Sequence, residues 1–201
     1  MLKRSKTLYL VKFDLTGYVA FEPVWSTFAR KLGMTQVNIN EKYALEIPPL
    51  DIIEEVVSNQ GWHLNRVCEE EITAIYNGRW CDYSLHFAWS DEVHAINFTC
   101  AFDIRVPDKK ATMVNNLLAL INDKLWLGHF CIWQDEALPM YRHAFPLRGV
   151  DNFAPQQVED LLENAITACE KFYPAFQYVI WGGKDPQQAI VASILEPIGE
   201  A

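Results

Sequence analysis

The sequence has no long hydrophobic run. No apolar stretch approaches the ~18 residues that a membrane span needs. The short run at Thr7–Val11 is cut off by Lys12 and Asp14 before it could act as a secretory signal. The expectation is a soluble, cytoplasmic protein with no membrane association. Cysteine is poorly arranged for a framework: Cys68, Cys81, Cys100, Cys131 and Cys169 are odd in number and contain no C-x-x-C pair. Reduced thiols in a cytosolic core fit this better than disulfides. Positive charge is also short, with 17 Lys and Arg against 26 Asp and Glu for a net of −9. A general nucleic-acid binder needs a basic face, so that class is set aside.

Catalytic patterns are missing too. There is no G-x-S-x-G elbow, P-loop or G-x-G-x-x-G. Trp181-Gly182-Gly183-Lys184 reads as a helix stop, and Glu69-Glu70-Glu71 as a solvated turn. Cys81 and His86 fall on opposite faces of one strand by parity and cannot pair locally. His129 with Cys131, His94 with Cys100, and His143 supply zinc-type ligands, but without compact C-x2-C or H-x3-H spacing. Sheet positions explain them better. The expectation is a non-enzymatic chain with no metal and no cofactor.

What the chain does have is length, apolar mass and aromatics: 201 residues, 50% hydrophobic and 13% aromatic, enough for one well-packed domain. Charge is unevenly placed. Residues 1–33 carry Lys3, Arg4, Lys6, Lys12, Arg30 and Lys31 against Asp14 and Glu22, while the remainder is strongly acidic. Residues 1–47 therefore read as an extension and linker apart from a domain over 48–201. Translation beginning at Met34, a loosely attached extension, and an edge strand docked on the sheet are the alternatives for that segment.

The centre of the domain is Trp80–Val106. Tyr83, Leu85, Phe87 and Trp89, then Ile96, Phe98, Cys100, Phe102, Ile104 and Val106, alternate with polar residues. This predicts two half-buried antiparallel strands, Trp80–Trp89 and Val93–Val106. Pro49 opens a helix over about 49–60, closed by Gly61. Strands at Trp62–Val67 and Glu71–Asn77 follow, and Asn77-Gly78 signals a two-residue hairpin. After Pro107, Val114, Leu117, Leu118, Ile121 and Leu125 make a helical stripe ending at Gly128. Strands at His129–Trp133 and Pro139–Leu147 come next. A long helix from Pro155 should be kinked at Pro174 and stopped by Gly182-Gly183. Asp185-Pro186 starts a last helix through about Leu195. The predicted class is α+β, an antiparallel meander with helices on one face.

The polar side of the central strands is the candidate site: Trp80, Asp82, Ser84 and His86, with Asn97, Thr99 and Arg105. Trp and Arg are types that anchor protein interfaces. The plain alternative is an ordinary solvated sheet face, and burial of part of it in a homodimer is a third. A separate reading gathers Trp80, Trp89, Trp126, Trp133 and Trp181 around a small-molecule pocket, against which ordinary core packing must be weighed.

The run Gly78-Arg79-Trp80-Cys81-Asp82-Tyr83-Ser84-Leu85-His86-Phe87-Ala88-Trp89 resembles the YbjN-domain family of bacterial proteins. So do Phe102–Pro107, Leu125–Phe130, Tyr173–Gln177 and Trp181–Lys184. These landmarks span about residues 49–200, and residues 1–47 lie outside them. The resemblance implies a fold like that of type III secretion chaperones, often dimeric, and a regulator of sensory transduction with no catalytic residues assigned. The combined expectation is a regulatory or chaperone-like module that binds an unidentified protein partner and forms a homodimer. The alternative is a small-molecule sensor or enzyme with an aromatic-lined pocket.

Overall fold

The computed structural model describes residues 47–150 and 153–195. The expectations for residues 1–46, including the extension and the start at Met34, lie outside the described residues. Helix α1 runs Pro49–Asn59 with proline at its first position, where the missing N–H is not needed. Leu50, Ile53 and Val57, flanked by Ile52 and Val56, are its buried stripe. Gly61 takes a positive φ of 74° just beyond it.

Four strands follow: β1 (His63–Cys68), β2 (Glu71–Asn77), β3 (Asp82–Ser90) and β4 (Ala95–Ala101). A 3-10 turn at Asp108–Lys110 leads into α2 (Ala111–Asn122), then come β5 (His129–Trp133), β6 (Leu138–Pro146), α3 (Pro155–Ile180) and α4 (Pro186–Leu195). The strands form one antiparallel six-stranded sheet in the order β1-β2-β3-β4-β6-β5. The meander holds through β4. The last strand then inserts beside β4 and pushes β5 to the far edge.

One face of the sheet carries Ile72, Tyr83, Leu85, Phe87, Ile96, Phe98, Cys100 and Tyr141, all at most 1% exposed. Helices α1 and α3 pack on that face, α2 reaches β5, and α4 lies against α2 and α3. Aromatic rings fill the space between β4, β5 and α3. Phe102 meets Phe176 edge-on at 5.2 Å and Phe130 at 5.8 Å, the tilted geometries that ring quadrupoles favour. Cys100 of β4 and Cys169 of α3 touch within this core, sulfur to sulfur at 3.5 Å. The class is α+β with helices on one face.

The central strands are shorter than alternation suggests. Phe102, Ile104 and Val106 remain buried while Asp103 and Arg105 are exposed, yet the segment is not strand. Its backbone bonds irregularly instead, Phe102 N–H to Pro139 O and Val106 N–H to Ala137 O. Period-two burial outlasts the β3–β4 ladder, whose last pair is Ser84 with Ala101. The connection from β2 to β3 is not a two-residue hairpin either. It takes the four residues 78–81, closed by Gly78 N–H to Cys81 O at 3.1 Å. Glycine is required at 78 for space, since a Cβ there would collide with the Tyr83 ring and the Glu170 carboxylate.

Pro174 sits inside α3, which continues as one helix from Pro155 to Ile180. Proline supplies no N–H to the carbonyl four residues back, that of Glu170. The indole Nε1–H of Trp80 donates to that carbonyl at 3.0 Å. A side chain from the β2–β3 turn thus replaces the bond that the helix lacks. The same turn sends the Arg79 backbone N–H to the Glu170 carboxylate at 2.7 Å.

Candidate functional site on the open sheet face

All the described helices that touch the sheet lie on its buried side. The other side is built by strand register alone. One row crosses all six strands: Asn65, Thr73, His86, Thr99, Arg142 and His129. Beside it run Ser84 with Ala101 and Met140, and on the other flank Glu71, Ala88, Asn97 and Ala144. Asp82 pairs with Asn77 at the end of β2 and β3. The strip is polar but tempered by small apolar residues, with Ile75 and Trp133 exposed at 42% and 47%.

Five of the seven predicted residues meet here: Asp82, Ser84, His86, Asn97 and Thr99. Asn77 Nδ2 donates to Asp82 Oδ1 at 2.7 Å. Arg142 Nε donates to Asn97 Oδ1 at 3.1 Å, a diagonal contact between β6 and β4. His86 Nε2 lies 3.7 Å from Glu71 Oε2, an ion pair when the imidazole is protonated. At the opposite margin, burial, seconded by the Arg142 charge, holds His129 below its usual pKa. The acidic groups Glu71 and Asp82 thus sit toward β2 and β3, and Arg142 sits toward β5.

Trp80 and Arg105 do not belong to this face. Trp80 lies in the turn before β3, so the parity that placed it beside Asp82 does not apply. It is half-buried, stacks on Tyr173 at 6.3 Å and donates to α3. Arg105 follows the end of β4 and bonds Glu136 of the β5–β6 turn at 2.6 Å. In their place the structure brings Arg142, His129, Thr73 and Glu71. The parity of His129 with Cys131 was visible in the sequence, but the adjacency of β6 to β4 had no local signal.

The proposed tryptophan pocket is not assembled. Trp126 is 99% exposed and Trp181 67%, while Trp80 and Trp89 flank opposite ends of β3 and pack on the core. Burial pushes the Cys81 thiol up to about 12, which disfavours the thiolate. Among the described residues no three His, Cys, Asp or Glu side chains could hold a metal together. No described helix is long and apolar enough to cross a membrane.

A family model described as "YbjN: Putative bacterial sensory transduction regulator" matches residues 49–178. Among solved structures, the crystal structure of YbjN from E. coli is similar to this chain at 12% sequence identity with a TM-score of 0.43. That match covers 77% of this chain and 95% of the other. No curated protein matches.

Proposed function

From the premise that the chain belongs to the YbjN family over residues 49–178, we propose that it is a non-catalytic regulator that works by binding protein on the open face of its sheet. The observation that carries this reading is the one-sided architecture. Among the described residues the six-stranded sheet has no helix across one of its faces. That face mixes hydrogen-bonding groups with Ile75, Met140 and Trp133, a composition suited to an interface.

The partner that best complements the face is a second copy. Acid at Glu71 and Asp82 and base at Arg142 occupy opposite sides of the strip, so two copies placed face to face about a two-fold axis set each against the other. The module then acts in the cytoplasm as a homodimer, or exchanges its own copy for the regulated protein. Solution mass across a dilution series tests the pairing in wild type and in a Thr99→Arg/Arg142→Glu variant. The expected result is a wild-type dimer dissociating at micromolar concentration and a monomeric variant with unchanged thermal stability. Affinity capture from native cells tests the wider reading. If the folded variant retains both its mass and every captured protein, the open face is not the binding surface.

A further inference from the structure

On the helix-covered side of the sheet, one side chain is out of keeping with its position. His143 lies opposite Phe98 in the ladder, in the same row as Phe87 and Ile72. Register therefore turns it toward the core. Yet it is only half-buried, and neither ring nitrogen has a hydrogen-bond partner among the described residues; its neighbour is the Phe145 ring at 6.3 Å. Burial, helped by His129, holds this imidazole below its ordinary pKa. That favours the neutral form, which has one nitrogen to donate and one to accept.

The ring borders a cleft of about 220 Å3 between β6 and the first half of α3, lined by Tyr141, His143, Phe145, Asp160, Leu161 and Asn164 among others. Much of the polar capacity there is already used. Tyr141 donates its hydroxyl to Leu127 O at 2.9 Å, and Asn164 Nδ2 donates to Asp160 O at 2.6 Å. Gln157 Oε1 accepts from Ala154 N–H at 2.9 Å. What remains is neutral groups that can both donate and accept (Gln157, Asn164 and His143) and one formal charge, the Asp160 carboxylate. No Lys or Arg lines the cleft. A ligand carboxylate or phosphate would face Asp160 with no cation to meet it.

We infer that this cleft is a binding site for a small primary ammonium compound with an aromatic or short apolar body. The ammonium, three donors and no acceptor, answers Asp160, Asn164 and His143. The body lies against Tyr141, Phe145 and Leu161. The volume falls below the ~300 Å3 at which drug-sized pockets begin, which limits the body to about one ring. This site is on the other side of the sheet from the open face and does not depend on that face binding anything.

Phenethylamine and phenylacetate, matched in size and opposite in charge, are the probes. Protein-detected NMR titration of the full chain is expected to show saturable phenethylamine binding with a dissociation constant of about 1 mM or below. Phenylacetate should not bind. Asp160→Asn, on an exposed helix position, should weaken phenethylamine at least tenfold, and His143→Phe severalfold, both with thermal stability retained. The inference is overturned if phenethylamine fails to saturate by about 20 mM, if phenylacetate binds equally well, or if Asp160→Asn leaves the affinity unchanged.

Discussion

If Trp80 stands in for the N–H that Pro174 cannot provide, the two residues must be energetically coupled. Trp80→Phe keeps an aromatic ring beside Tyr173 but removes the donor. The Glu170 carbonyl is then left without either a helical or a side-chain partner. Losing the bond costs about 1 kcal/mol net, and leaving a part-buried carbonyl unsatisfied raises that to roughly 2 kcal/mol. For a chain of this size each kcal/mol moves Tm by about 2–4 °C, so a fall of ~4–8 °C is expected. Pro174→Ala restores an N–H aimed at the same carbonyl. In that background Trp80→Phe should cost about 1 kcal/mol less, a coupling well outside the ~0.3–0.5 kcal/mol scatter of independent sites. Urea and thermal unfolding of the four proteins measure it. Additivity of the two substitutions would refute the substitution of indole for amide, whatever the size of each effect alone.

Two further outcomes follow from the same structure. Asn122, the last residue of α2, accepts from Phe130 N–H at 2.7 Å and donates to Phe130 O at 3.0 Å, so its amide satisfies the side of β5 that faces away from β6. Asn122→Ala should cost about 2 kcal/mol for the two bonds and speed amide exchange at Phe130, and unchanged exchange there would contradict the assignment. The depressed pKa values of His129 and His143 make the unfolded chain bind more protons than the folded one once pH drops toward the ordinary histidine value. The stability tied to their neutral forms is intact above an unfolded pKa of about 6.5 and is lost as pH falls below it toward the folded values. Between pH 7.5 and 5.5, the Tm of a His129→Gln/His143→Phe variant is expected to fall less steeply than that of wild type; parallel curves would rule the two groups out as the cause.

The sequence made most elements legible because their signals are local. Pro49, Pro155 and Pro186 each mark a helix start, and period-two alternation separates Tyr83, Leu85 and Phe87 from Ser84 and His86. Parity failed at Trp80 because it counts residues along a strand and cannot see where the strand begins. The collision that forces glycine at 78 involves Glu170, some ninety residues away, so the turn there is a tertiary fact. Arg105 was misplaced for a related reason: burial alternates through Val106, but the ladder stops at Ala101. Half of the open face was hidden because β6 reaches β4 only after α2 and β5 intervene. Its Arg142 had no neighbour in the sequence to point to it. The cleft beside His143 was not legible because Asp160 and Asn164, which line it with His143, come from a helix with an ordinary apolar stripe.

That late insertion of β6 has a consequence for synthesis. During translation β1 to β4 can pair as they emerge, but β4 then carries an open edge until β6 has been made. The stretch Ala95–Ala101 contains no charge and no proline, the features that usually keep an unpaired strand from recruiting its like. At the ribosome's ~5–20 residues per second, the wait from the end of β4 to the end of β6 is roughly 2–9 s. For that interval each nascent chain can accept the β4 of a neighbouring chain in place of its own β6. Yield of native protein should therefore depend on how densely ribosomes load the message, even though β4 is paired on both sides in the finished fold.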